Sequence, residues 1–88
     1  MTVNAYAATG PGSRLEPFTC EAPALADDAV EIAVEHCGIC HSDLSMIDNE
    51  WGLSEYPLVG GHEVIGKVAA TGSSVQGLEA GTVVGLGW

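Results

Sequence analysis

Twelve glycines and four prolines punctuate a chain of only 88 residues, and that density limits what it can fold into. Both residues interrupt helices and mark turns, so the uninterrupted pieces are short and suit strands better than long helices. No segment repeats and none is of low complexity. A chain this short hides only about 60% of the surface that its unfolded form exposes, so a metal, crosslinks or a partner is expected to support the core. Residues 1–88 read as one domain without an internal linker.

The clearest strand is Ala29 to Glu35, where Val30, Ile32 and Val34 alternate with Glu31, Ala33 and Glu35. Period-two alternation places one apolar face against a core and the other in water, as at the surface of an antiparallel sheet or barrel. Val3 to Ala8 is a weaker strand, followed by a turn at Gly10-Pro11-Gly12. Pro17 and Pro23 are expected to keep the next stretch irregular or at a sheet edge. Glu63 to Thr71 reads as a strand with a bulge or bend at Gly66, and it runs into the turn Thr71-Gly72-Ser73-Ser74; another strand begins over Thr82 to Trp88. Between these, His41 to Asn49 with Leu44, Ile47 and Trp51 at helical spacing predicts one short helix, Ser42 serving as its N-cap. The expected architecture is mainly β.

Composition narrows the function classes. With 47% hydrophobic and 16% charged residues, the chain is too apolar for a disordered tail. Twelve acidic against two basic side chains give a net charge of −10, which repels phosphate backbones and anionic lipid, so neither nucleic acid nor membrane is an expected partner. Three cysteines are too few for a disulfide scaffold and suit a reducing compartment. The N-terminus carries no signal-peptide pattern and no apolar run is long enough for a membrane span, so a soluble, cytoplasmic protein is expected.

Reactive side chains concentrate in two places, Cys37-Gly38-Ile39-Cys40-His41-Ser42-Asp43 and Gly60-Gly61-His62-Glu63. Four chemistries compete for the first. Cys-x-x-Cys-His is the pattern of covalent haem attachment, with Met46 as a conceivable axial ligand, but that chemistry belongs to exported proteins. Dithiol redox chemistry needs the pair at a helix start within a βαβ unit, which a β-rich chain does not offer. Both cysteines would otherwise be inert packing residues in a small β-module for binding or structure. The fourth is zinc, since a thiolate, an imidazole and one more ligand bind it tetrahedrally and leave a position open for substrate.

Taken together, Gly38-Ile39-Cys40-His41-Ser42-Asp43 and Gly61-His62-Glu63-Val64-Ile65-Gly66 closely resemble the zinc-dependent medium-chain alcohol dehydrogenases, in particular the cinnamyl-alcohol-dehydrogenase-like branch. The resemblance runs from Val3-Asn4-Ala5-Tyr6-Ala7 to Val84-Gly85-Leu86-Gly87-Trp88 and implies the N-terminal part of a GroES-like catalytic domain, a partly open β-barrel with one short helix. It implies that Cys40 and His62 are ligands of a catalytic Zn2+, that Cys37 is not, and that Glu63 is a carboxylate beside the metal able to approach it. Asp43 then corresponds to the carboxylate that orients the histidine ligand, and Ser42 to the hydroxyl that takes the alcohol proton. His41 matches a position that faces cofactor phosphates, the cofactor being NAD(P) and the substrate a small alcohol or aldehyde. Trp51, Tyr56 and Leu58 either line a substrate pocket or pack over the helix. His36 and Cys20 are expected to be surface and inert residues.

Three positions depart from the family pattern. Ser45 stands where many members have a histidine that ends the proton relay, Gly60 replaces a frequent proline, and Thr82 replaces an aspartate after Gly81. The family's third zinc ligand, its four-cysteine structural lobe and its Rossmann domain all lie outside these residues. The chain is therefore expected to be a fragment, inactive by itself, whose open strand edges call for the Rossmann domain or for self-association.

Overall fold

A computed structural model describes residues 1–87; Trp88, expected at the end of the last strand, lies outside the described residues. Among the described residues five strands and one helix follow in the order β1 (Thr2–Ala8), β2 (Leu15–Glu21), β3 (Val30–Gly38), α1 (His41–Ile47), β4 (Glu63–Thr71) and β5 (Val83–Leu86). The architecture is mainly β with one short helix, and the strands form two separate sheets rather than a closed barrel. The chain divides into two compact units, one built from Met1–Ala22 and Ile39–Gly61, the other from Pro23–Gly38 and the stretch from His62 onward.

In the first unit, β1 and β2 form an antiparallel hairpin in which Tyr6 faces Pro17. Of the two outcomes expected for this stretch, irregular or at a sheet edge, it takes the second: a proline that lacks an N–H is tolerated on a two-stranded ribbon, where every strand is an edge. Ala7 and Ala8 are buried, and Ala8 exchanges both backbone hydrogen bonds with Leu58, at 2.8 Å each. Small side chains at these positions let the loop after the helix lie directly on β1. The hairpin's open end is tied by the Met1 amino group, 3.2 Å from Glu21, and by the Thr2 hydroxyl, which donates to the same carboxylate. That hydroxyl first, and the amino group second, hold the Glu21 carboxyl below the usual carboxylate range.

Helix α1 ends two residues earlier than its apolar spacing predicts. Asn49 adopts φ 58 and Gly52 φ 70, conformations that stop a helix and reverse the chain. The freed carbonyls are taken up by nearby side chains: the Tyr56 hydroxyl donates to the Ile47 carbonyl at 2.6 Å and the Ser54 hydroxyl to that of Met46.

In the second unit the three strands pair antiparallel in the order β3, β4, β5. Strand β3 runs three residues past the expected Glu35, through the cysteine that opens the motif. Its register against β4 slips between Glu31 and Ile32 and again between Val34 and His36. The irregularity that Gly66 signalled thus lies on the facing strand: Gly66 pairs with Val34, Ile65 with His36, and the residue between is extra. Gly66 itself is buried, and a Cβ there would stand 2.4 Å from the Ala33 carbonyl oxygen. Val68 is the largest fully buried side chain. The apolar face of β3 is covered only in part, since Val34 is 60% exposed.

Candidate functional site

Cys40 is the N-cap of α1, with the extended backbone φ −123°, ψ 150° that a cap requires. The expected cap, Ser42, lies inside the helix instead. The reason is three residues downstream of Cys40: the Asp43 carboxylate accepts the Cys40 N–H at 3.1 Å, and the Asp43 N–H donates to the Cys40 carbonyl at 3.0 Å. This reciprocal arrangement satisfies two backbone groups and places a negative charge in the first helical turn. Asp at the third helical position was the sequence signal for it. Cys40, Ser42 and Asp43 are half-buried, and His41 is exposed.

Ser45, one turn further on, is 3% exposed. Of the three pocket candidates, the Tyr56 hydroxyl is bound to the helix end and the Leu58 backbone to Ala8, while Trp51 is 50% exposed.

His62 and Glu63 sit at the start of β4. Gly61 just before them has φ 118, so the turn that aims His62 depends on a residue without a Cβ. Gly60 has no such angle. His62 is half-buried and Glu63 exposed, and a ring nitrogen of the one lies within 4.8 Å of a carboxylate oxygen of the other. They open a shallow groove along β4 and β5 that also includes Ile65 and Leu86. Glu63 pairs with Gly38, the last residue of β3, and a Cβ at Gly38 would meet both the Cβ and Oε1 of Glu63 at 3.2 Å.

Cys37 belongs to β3, opposite Val64, and is exposed; all three cysteines are free thiols. A strand position for the first cysteine and an extended N-cap for the second do not form the helix-start pair that dithiol redox chemistry uses. A free thiol, an imidazole and a carboxylate are instead a donor set suited to zinc, and the Glu63 side chain occupies the space that a Cβ at Gly38 would need. No described helix is long and apolar enough to cross a membrane.

Residues 26–88 match the family model of the alcohol dehydrogenase GroES-like domain. The chain is 57% identical over 86 residues, 98% of its length, to the aldehyde reductase AdhA of Synechocystis sp., of which it covers 26%. Among solved structures, it is similar to a cinnamyl alcohol dehydrogenase from Sorghum bicolor (TM-score 0.94, 43% identity, 100% of this chain and 25% of that one). It is also similar to a cinnamyl alcohol dehydrogenase from Helicobacter pylori complexed with NADP(H) (TM-score 0.93, 30% identity, 99% and 25%). The chain thus spans about a quarter of the length of these relatives. By the match over residues 26–88, it belongs to the alcohol dehydrogenase GroES-like domain family.

Proposed function

We propose that this chain carries the catalytic zinc-binding segment of an alcohol dehydrogenase that interconverts alcohols and aldehydes with NAD(P). The observation that carries the reading is the pairing of Gly38 with Glu63. Cys40 follows Gly38 by two residues, so its Cα lies within about 7.6 Å of Gly38 by chain geometry alone, and His62 adjoins Glu63. The pairing of the residue that opens the first motif with a residue of the second supports that reading.

In this reading Cys40, His62 and Glu63 hold the ion, with Glu63 the carboxylate that approaches or withdraws. Bound zinc is a Lewis acid that polarises an alcohol or carbonyl oxygen. Ser42, half-buried two residues beyond Cys40, accepts the alcohol proton on its hydroxyl oxygen. Asp43 fixes the Cys40 backbone through its cap and orients the histidine ligand, so that thiolate and imidazole keep a constant aim. His41, exposed at the first helical position, is assigned to the phosphates of the nicotinamide cofactor. Ser45 cannot extend the relay as a histidine would, so the proton leaves Ser42 through water.

Metal analysis of the purified chain tests the assignment. One zinc per chain is expected, lost in both Cys40→Ser and His62→Ala. No stoichiometric zinc in the purified chain, with the fold intact in Cys40→Ala and His62→Ala, would favour the non-catalytic β-module; undiminished zinc in the variants would overturn this ligand set, and a covalent visible chromophore would favour haem attachment.

A further inference from the structure

On the zinc assignment above, we propose that Gly38 is a positioning residue that sets where the Glu63 carboxylate stands beside His62. Glycine within a strand weakens it, so its presence at the end of β3 needs a cause. The backbone is not that cause, because Gly38 is not among the residues with positive φ, which are Asn49 and glycines 12, 52, 61, 77 and 81. Space is. Cβ atoms of directly opposed residues in an antiparallel pair normally lie about 4.5–5.5 Å apart. A Cβ on Gly38 would lie 3.2 Å from that of Glu63, 3.2 Å from its Oε1 and 3.6 Å from its Cδ.

The glutamate side chain, exposed on its other side, therefore folds back across the bare α-carbon of Gly38. That conformation keeps its oxygen within 4.8 Å of the His62 ring nitrogen. The contact differs in kind from those beneath Gly66 and Gly72, whose nearest neighbours are backbone carbonyl oxygens and whose lack of a side chain serves strand and turn packing. Gly38 is crowded by the Glu63 side chain, by its Oε1 as closely as by its Cβ. A methyl there displaces the carboxylate from the histidine and removes it from the ion's reach.

The test measures Zn2+ affinity of the 88-residue chain by chelator competition, and the visible absorption of its Co2+ form, for wild type, Gly38→Ala, Glu63→Ala and the double variant. Gly38→Ala is expected to weaken Zn2+ binding about 10- to 100-fold, the range for lost supporting contacts, and to change the Co2+ spectrum. In the Glu63→Ala background the same substitution is expected to change neither. Wild-type affinity in Gly38→Ala, or equal weakening in both backgrounds, overturns the proposal. Circular dichroism monitors folding: alanine at position 63 keeps the Cβ that would stand 3.2 Å from the new methyl, so Gly38→Ala is also combined with Glu63→Gly; folding of that chain where Gly38→Ala does not fold supports the conflict with the Glu63 side chain, and loss of fold in both overturns it. Cys40→Ser and His62→Ala keep the two questions apart, because wild-type affinity in those variants removes the zinc assignment itself, whatever Gly38→Ala does.

Discussion

Gly66→Ala is a methyl-sized change with a cost that can be worked from distances. Its new Cβ would stand 2.4 Å from the Ala33 carbonyl oxygen, 2.7 Å from Ile32 Cγ2 and 3.1 Å from the Ala33 carbonyl carbon. Carbon contacts are comfortable at about 3.5–4.0 Å, so β3 and β4 must part by several tenths of an ångström or more where Gly66 pairs with Val34. Two of the three neighbours are backbone atoms, which cannot swing aside as a side-chain end can. Overpacking of this kind costs about 1–3 kcal/mol, and the backbone contacts place Gly66→Ala near about 3 kcal/mol. A chain of this size commands only about 4–13 kcal/mol in all. With a urea dependence of about 1 kcal/mol per molar, the midpoint should fall by about 3 M. Gly60→Ala is the matched control: nothing lies within 4 Å of its Cβ, its φ is not left-handed, and its midpoint should move by no more than about 0.5 M. Equal urea midpoints for the two variants would refute the reasoning. So would a Gly66→Ala chain that unfolds at the wild-type midpoint.

Three further outcomes are expected. Zn2+ affinity should rise steadily from pH 5 to pH 8, because Cys40 binds as the thiolate and His62 as the neutral ring; a flat profile by chelator competition would contradict that ligand pair. Asp43→Ala should lower the unfolding free energy by about 1 kcal/mol in urea titration through loss of the helix cap, and Asp43→Asn, which keeps an acceptor for the Cys40 N–H, by less. Thr2→Val should raise the Glu21 titration toward the usual carboxylate range in an NMR pH titration, since the Thr2 hydroxyl is the first cause of its depression. The sign follows from a folded value below the unfolded one: this contribution to stability is complete above the unfolded value and disappears as pH falls through the folded one.

A large part of the fold was legible because strands announce themselves by period. Val30, Ile32 and Val34 predicted β3, and Glu63 to Thr71 coincides with β4 residue for residue. The β2 strand was not legible, since Pro17 argues against a strand unless the sheet has only edges there, and pairing partners are not written in a local window. The helix begins at His41 as expected, but its cap was misplaced for a similar reason. Ser42 is the better N-cap by residue type, but the carboxylate of Asp43 three residues after Cys40 decided the matter. Gly66 marked an irregularity whose extra residue proved to be on the opposite strand, as a contact between strands must belong to both.

What the sequence by itself determined is the chemistry on offer: a thiol at Cys40, a hydroxyl at Ser42, carboxylates at Asp43 and Glu63 and an imidazole at His62, in motifs that resemble one enzyme family. Residue identity fixes donor atoms, and local spacing fixes which share a turn. Only the tertiary structure decided that Glu63 lies opposite Gly38, that the carboxylate folds over that glycine, and that Asp43 is bound to the backbone of Cys40. The physical reason is the register of β3 on β4. It depends on two one-residue slips, one on each strand, and on a close approach at Gly66, and these are properties of two strands in contact rather than of either one alone.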